Sequence, residues 1–125
     1  MKNTNQLVKE WFDIWEAGDF QNLPLAENFK HTSPYGTIEG KNQYMDLVET
    51  NRDKFLGNHI GIHDEIYAGN KACVRYTVSK DDFSMEVSEW LYTENDKIKE
   101  IIAYYNIEGE ISDKRKLSPG SYEDG

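Results

Sequence analysis

Two side chains in this sequence are suited to moving a proton near neutral pH: His31 and Glu89. An imidazole titrates close to neutrality and, placed beside a substrate, acts as a general acid or base. His31 stands in the run Phe29-Lys-His-Thr-Ser, and strand alternation puts Phe29, His31 and Ser33 on one face. Glu89 alternates with Val87 and Leu91. A carboxylate on an otherwise apolar face has a raised pKa or a partner, such as Arg75 or His31. A β-bulge before it would turn Glu89 to the other face. Each residue also has a plainer reading, a hydrogen-bonded wall histidine and a structural carboxylate.

Aromatic residues with a polar tip form a second set: Trp11, Trp15, Tyr35, Tyr44, Tyr76 and Tyr105. Such side chains give a ligand apolar contact while fixing its polar atoms, and they also serve as ordinary core. Other candidates point away from chemistry. His59 and His63 are spaced by four, which on a helix would suit zinc, but Ile60, Ile62, Ile66 and the nearby glycines indicate a strand. Four residues along a strand span about 13 Å, so no metal site is expected. Cys73 is the single cysteine; it has no partner for an intramolecular disulfide and reads as a small packed hydrophobe.

The elements that must position these residues follow from the rest of the chain. Its 125 residues suggest one domain, large enough to bury roughly two-thirds of its unfolded surface. A net charge of −9 repels phosphate backbones and anionic membranes, so neither nucleic acid nor a membrane is expected as a partner. No signal-peptide run and no apolar stretch near the ~18 residues of a membrane span is present, and the lone cysteine suits a reducing cytoplasm.

Leu7, Trp11 and Trp15, with Val8 and Phe12 beside them, form one apolar stripe and predict a helix over 4–17, with Thr4 as N-cap and Gly18 as its stop. Asp19 reads as a fresh N-cap for a short broken helix over 20–27, followed by a strand over 29–33 and a turn through Pro34, Gly36 and Gly40. Lys41 to about Phe55 predicts a third helix through Tyr44, Leu47 and Val48. A strand to Ala68, a turn at Gly69-Asn70, a strand over 71–80 and a long hairpin over 85–107, turning at Glu94-Asn95-Asp96, complete a four-stranded antiparallel meander. In that hairpin Met85, Val87, Leu91, Ile101, Ala103 and Tyr105 share one set of faces; Trp90, Tyr92, Ile102 and Tyr104 take the other. The fold class is therefore α+β, over residues 1–107, with a polar, solvated C-terminal tail expected over 108–125, at most partly ordered in one turn near Ile111 and Leu117.

Three segments in this order resemble the nuclear transport factor two-like superfamily, in its SnoaL-like and ketosteroid isomerase-like branch. They are Trp11 to Phe20 with its Glu-Ala-Gly-Asp-Phe ending, Phe29-Lys-His-Thr-Ser-Pro-Tyr-Gly-Thr-Ile-Glu-Gly-Lys, and Asp96-Lys-Ile-Lys-Glu-Ile-Ile-Ala-Tyr-Tyr. The resemblance covers about residues 5–107 and implies a cone, a strongly curved antiparallel sheet closed by three N-terminal helices around a deep pocket. The superfamily includes isomerases, polyketide cyclases, dehydratases, epoxide hydrolases and non-enzymatic modules, so the fold does not fix the activity.

The resemblance also assigns positions. Trp11 falls where the isomerases carry a tyrosine, Ser33 where they carry the proton-shuttling aspartate, and Met85 or Glu86 where they carry a strand acid. An indole donates without ionising and a serine takes no proton unaided, which argues against steroid isomerisation by that route. Glu89 resembles the strand acid of SnoaL-like cyclases, and Tyr105 an aromatic pocket residue of the isomerases. The expected ligand is a hydrophobic small molecule. The expected chemistry, if any, is cofactor-free proton transfer with His31 as base and Glu89 or a tyrosine stabilising charge; the alternative is a non-enzymatic ligand-binding or protein-interaction module. Helices cover only one sheet face, so Trp90, Tyr92, Ile102 and Tyr104 predict a homodimer.

Overall fold

Asn3 starts the first helix. Its side-chain oxygen accepts the N–H of Gln6 at 2.9 Å, and the Gln6 side chain accepts the N–H of Asn3 at 2.8 Å, a reciprocal capping box. The helix, α1, runs Thr4–Ala17 and stops at Gly18, whose φ of 83° is left-handed. The expected cap, Thr4, is displaced by one position because its hydroxyl turns inward to Thr93, 2.8 Å away and buried. Leu7, Val8, Trp11 and Phe12 are buried along the inner stripe.

The computed structural model describes residues 2–106. Ile107 and the expected tail, with Ile111 and Leu117, lie outside the described residues. After α1 come β1 (Leu25–Ser33), β2 (Gly36–Glu39), α2 (Lys41–Thr50), a short α3 (Arg52–Phe55), β3 (His59–Ala68), β4 (Lys71–Lys80), β5 (Phe83–Glu94) and β6 (Lys97–Tyr104). Six strands form one curved, unclosed sheet in the order β2-β1-β6-β5-β4-β3, with three α-helices, which is the expected α+β cone.

The sheet is fuller than the expected meander. The helix expected over 20–27 is only one 3-10 turn, Phe20–Asn22. Asp19 is its N-cap, as expected, and its carbonyl accepts the Asn22 N–H at 3.0 Å, but its carboxylate accepts from the side chains of Gln21 and Asn22 and from no backbone N–H of the turn. From Leu25 the chain is already extended, because Leu25 pairs with Ile98, whose N–H donates to the Pro24 carbonyl at 2.8 Å. Burial of Leu25 and Phe29, exposed 1% and 0%, holds that strand against any helical preference of Leu-Ala-Glu. The turn through Pro34 also does more than expected: it folds β2 back onto β1, with His31 opposite Ile38. β1 runs parallel to β6, the one parallel junction among otherwise antiparallel pairs.

The β5–β6 turn contains two residues rather than three, since Glu94 pairs with Lys97. Asn95 and Asp96 have φ of 51° and 65°, the geometry of a two-residue hairpin turn whose twist matches the strands. No register shift occurs near Glu89; the one in this hairpin lies at Tyr92/Thr93. Val87, Glu89, Leu91, Ile101 and Ala103 therefore face inward and are buried, while Trp90 and Tyr104 face outward, 39% and 60% exposed. No helix among the described residues is long and apolar enough to cross a membrane.

Candidate functional site

The concave side of the sheet and the helices enclose an open cavity of about 800 Å³. The residues expected to act on or bind a ligand all border it. α1 supplies Trp11 and Trp15, the β1–β2 hairpin His31, Ser33 and Tyr35, α2 Tyr44, β4 Tyr76, β5 Glu89, and the segment after β6 Tyr105.

Glu89 is the centre of one wall. Its side chain is 3% exposed and both carboxylate oxygens are engaged. The Trp11 indole Nε1–H donates to Oε1 at 3.0 Å, and the Tyr76 hydroxyl donates to Oε2 at 2.6 Å. Burial disfavours the charge and the two donors favour it; burial wins, and the pKa is pushed up to about 7. A carboxyl group so placed changes protonation state at neutral pH, the condition under which a general acid or base works best. Arg75, weighed as its partner, points elsewhere: its Nε lies 2.8 Å from Asp64.

His31 sits on the neighbouring wall among aromatic rings. Its imidazole stacks on Tyr44 with ring centres 5.0 Å apart and lies 6.3 Å from Phe29. Burial lowers its pKa to about 4, so at neutral pH it is an uncharged imidazole. It borders the cavity, where a buried donor without a partner among the described residues is the Trp15 indole Nε1–H. The phenols of Tyr44 and Tyr76 are held protonated, first by burial and then by the nearby Glu89 charge. Tyr105 shifts the same way through burial, and its ring lies 6.1 Å from that of Tyr35 at the mouth. Tyr35 is 75% exposed, so it belongs to the rim and not to the interior. The Ser33 hydroxyl accepts the N–H of Tyr35 at 3.2 Å and also hydrogen-bonds the Tyr105 side chain, which partly offsets the effect of burial on that phenol. Trp15 packs edge-on to Phe55 with centres 5.2 Å apart.

The remaining lining was only partly legible. Val78 and Ala103 follow from alternation with Tyr76 and Tyr105. Asn51, Lys54 and Asn58 form a polar stretch of lining between α2 and β3, and no periodic signal marks them. Elsewhere, His59 approaches Glu16 and His63 touches Thr77 at 2.6 Å, both away from the cavity. No cluster of three or more metal-ligating side chains occurs among the described residues.

The model for the SnoaL-like domain matches residues 8–101. An NTF2-like protein from Cytophaga hutchinsonii has the same fold, with a TM-score of 0.73 and 23% identity over 85% of this chain and 92% of its own. A candidate ketosteroid isomerase from Kribbella flavida superposes with a TM-score of 0.72 and 14% identity, over 92% and 88% of the two chains. A SnoaL-like protein from Burkholderia thailandensis gives 0.71 and 19% identity, over 82% and 93%. At these identities the likeness is one of fold. The comparison with curated proteins gives no match.

Proposed function

Since the chain belongs to the SnoaL-like domain family, we propose that its cavity takes a hydrophobic small molecule and that Glu89 moves a proton on it without a cofactor. The observation that carries this is a buried carboxyl group titrating near 7 on the wall of an aromatic cavity. As carboxylate, Glu89 accepts a proton from a carbon beside a carbonyl group. The C–H electron pair moves into the adjacent bond, and negative charge develops on the carbonyl oxygen. The Tyr44 and Tyr105 hydroxyls and the neutral His31 imidazole are the donors for that charge. The proton then returns from Glu89 to another atom of the same molecule, giving an isomerase, cyclase or dehydratase outcome according to the substrate. His31 thus changes role from the expected base to donor, because a group titrating near 4 has little drive to accept a proton at pH 7.

The test is hydrogen–deuterium exchange into a panel of hydrophobic ketones in D2O, followed by NMR. Exchange should rise with pH through about 7 and vanish in Glu89→Gln. Exchange that persists in Glu89→Gln removes the carboxylate from the mechanism. One observation favours a second reading, a binding module without turnover: protein donors already satisfy both Glu89 oxygens. Saturable ligand binding with no exchange for any panel member would establish it.

The outward face carries Trp90, Tyr92, Ile102 and Tyr104, with Trp90 directly opposite Ile102. We assign this face to a two-fold homodimer, the commonest closed assembly. Sedimentation should give a dimer at micromolar concentration and a monomer for Trp90→Glu; a monomeric parent chain rules the assembly out. The single free thiol, Cys73, fits a cytoplasmic location.

A further inference from the structure

We infer that the ligand of this cavity is an amphipathic anion, an aromatic or alicyclic body ending in a carboxylate, sulfonate or comparable acidic group that rests against Lys54 at the mouth. This deepens the reading above and depends on its claim that the cavity binds a small molecule.

The cavity wall is chemically lopsided. Its interior is aromatic and aliphatic, and its one carboxyl group, Glu89, is buried. Besides His31, Ser33 and Thr37 on the β1–β2 hairpin, its polar lining is a single segment of chain, Asn51, Lys54 and Asn58, and Lys54 is its one lysine or arginine. Lys54 is exposed, whereas Asn51 and Asn58 are half-buried. The other cations of this region are already engaged. Arg52 lies 3.3 Å from the Glu49 carboxylate, donates to the Gly18 carbonyl and stacks over the Phe20 ring. Lys80 donates to the Asp53 carbonyl at 3.1 Å. Among the described residues Lys54 has no ion-pair partner and no side-chain hydrogen bond.

Charge along the cavity then orders the ligand. An anionic group carried inward would meet the Glu89 carboxylate and lose its hydration without a compensating cation. Left at the mouth it keeps water and gains the ammonium of Lys54, with amide donors of Asn58 beside it. The apolar body fills the aromatic interior, which places its far end against Glu89. For a chain of net charge −9, a cation at this position is what distinguishes an acid from the surrounding repulsion.

A matched pair of dyes separates the two layers of inference. 1-Anilinonaphthalene-8-sulfonate and N-phenyl-1-naphthylamine share one aromatic skeleton and differ by the sulfonate. Both should bind the parent protein and compete for one site. Lys54→Glu should weaken the sulfonate about tenfold and Lys54→Gln about threefold, with the neutral dye changed less than twofold in either. Lys71→Glu makes the same charge change at a lysine that does not border the cavity and should leave both dyes within twofold. Equal affinity of the sulfonate for the parent and Lys54→Glu, with the neutral dye still bound, overturns the acidic-ligand inference and leaves the cavity reading standing. An equal loss of sulfonate binding in Lys71→Glu also overturns it. Failure of both dyes to bind the parent overturns the cavity reading and this inference together.

Discussion

The cavity has two walls bearing titratable groups whose chemistry is opposed, a buried carboxyl group and a half-buried imidazole. On β5, Glu89 is desolvated yet given two donors, and its neutral form gains ground until its pKa reaches about 7. On β1, His31 is desolvated and given only rings, and its neutral form gains ground until its pKa falls to about 4. Burial acts alike on both, always against charge. For an acid that moves the titration up into the working range; for a base it moves it down and out. In the reaction proposed above, the base is therefore the carboxyl group and not the histidine.

The largest expected effect breaks the β5 wall outright. Trp11→Ala removes a buried indole and one of the two donors to Glu89, and should cost about 3–5 kcal/mol in denaturant unfolding.

Next in size is Glu89→Gln. A carboxyl raised from 4.5 to about 7 contributes stability that is fully present below pH 4.5 and lost as pH rises through about 7. The variant should therefore be more stable than the parent at pH 8, by on the order of 3 kcal/mol, and equal to it near pH 4. Unfolding curves at both pH values check this. A parent that outlasts the variant at pH 8 would show that the two donors outweigh burial.

His31→Phe gives the opposite slope and sharpens the contrast. An imidazole lowered from 6.5 to about 4 contributes stability present above pH 6.5 and lost as pH falls through about 4. In the parent the two contributions run against each other between about pH 4.5 and 6.5 and cancel. Without His31 the Glu89 slope is exposed, and stability should fall steadily from pH 4.5 to 7. A flat profile in His31→Phe would mean that the Glu89 pKa is not raised, and an equally steep fall in the parent would mean that His31 is not desolvated.

The smallest effect is that of Tyr76→Phe, which removes one hydroxyl donor, at a cost of about 1–3 kcal/mol for the unpaired carboxylate. The Glu89 pKa should rise above 7, shifting the pH profile of any exchange activity upward. An unmoved profile would show that Tyr76 does not bear on the carboxyl group.

Much of this was legible in the sequence, for a definite reason. Val87-Glu89-Leu91 against Trp90-Tyr92 is a sustained two-residue period, which sets Glu89 on the face of Val87 and Leu91 provided that no bulge precedes it; the register, not the sequence, decides that condition. Where no period exists the reading stopped. Leu25-Ala-Glu has helical composition, and only pairing with Ile98, far along the chain, makes it a strand. Gly36–Glu39 is too short to carry a pattern. Placement of His31 was legible, but its protonation was not: that depends on Tyr44, which α2 brings across to stack on it. Lys54 was missed because it lies in a helix of four residues with no buried member.

The parallel junction between β1 and β6 has a further consequence, for the order of events during synthesis. Leu25 has no strand partner in that direction until Ile98 exists, and the Trp11–Glu89 and Thr4–Thr93 contacts span 78 and 89 residues. A nascent chain can set the indoles of its first helix against Phe20, Phe29, Tyr44 and Phe55 early, but the bonds that seat that helix on β5 wait until almost the whole domain has been translated. Closure of such long loops comes late and slowly, and the unseated face of that helix is the surface a chaperone would meet in the interval.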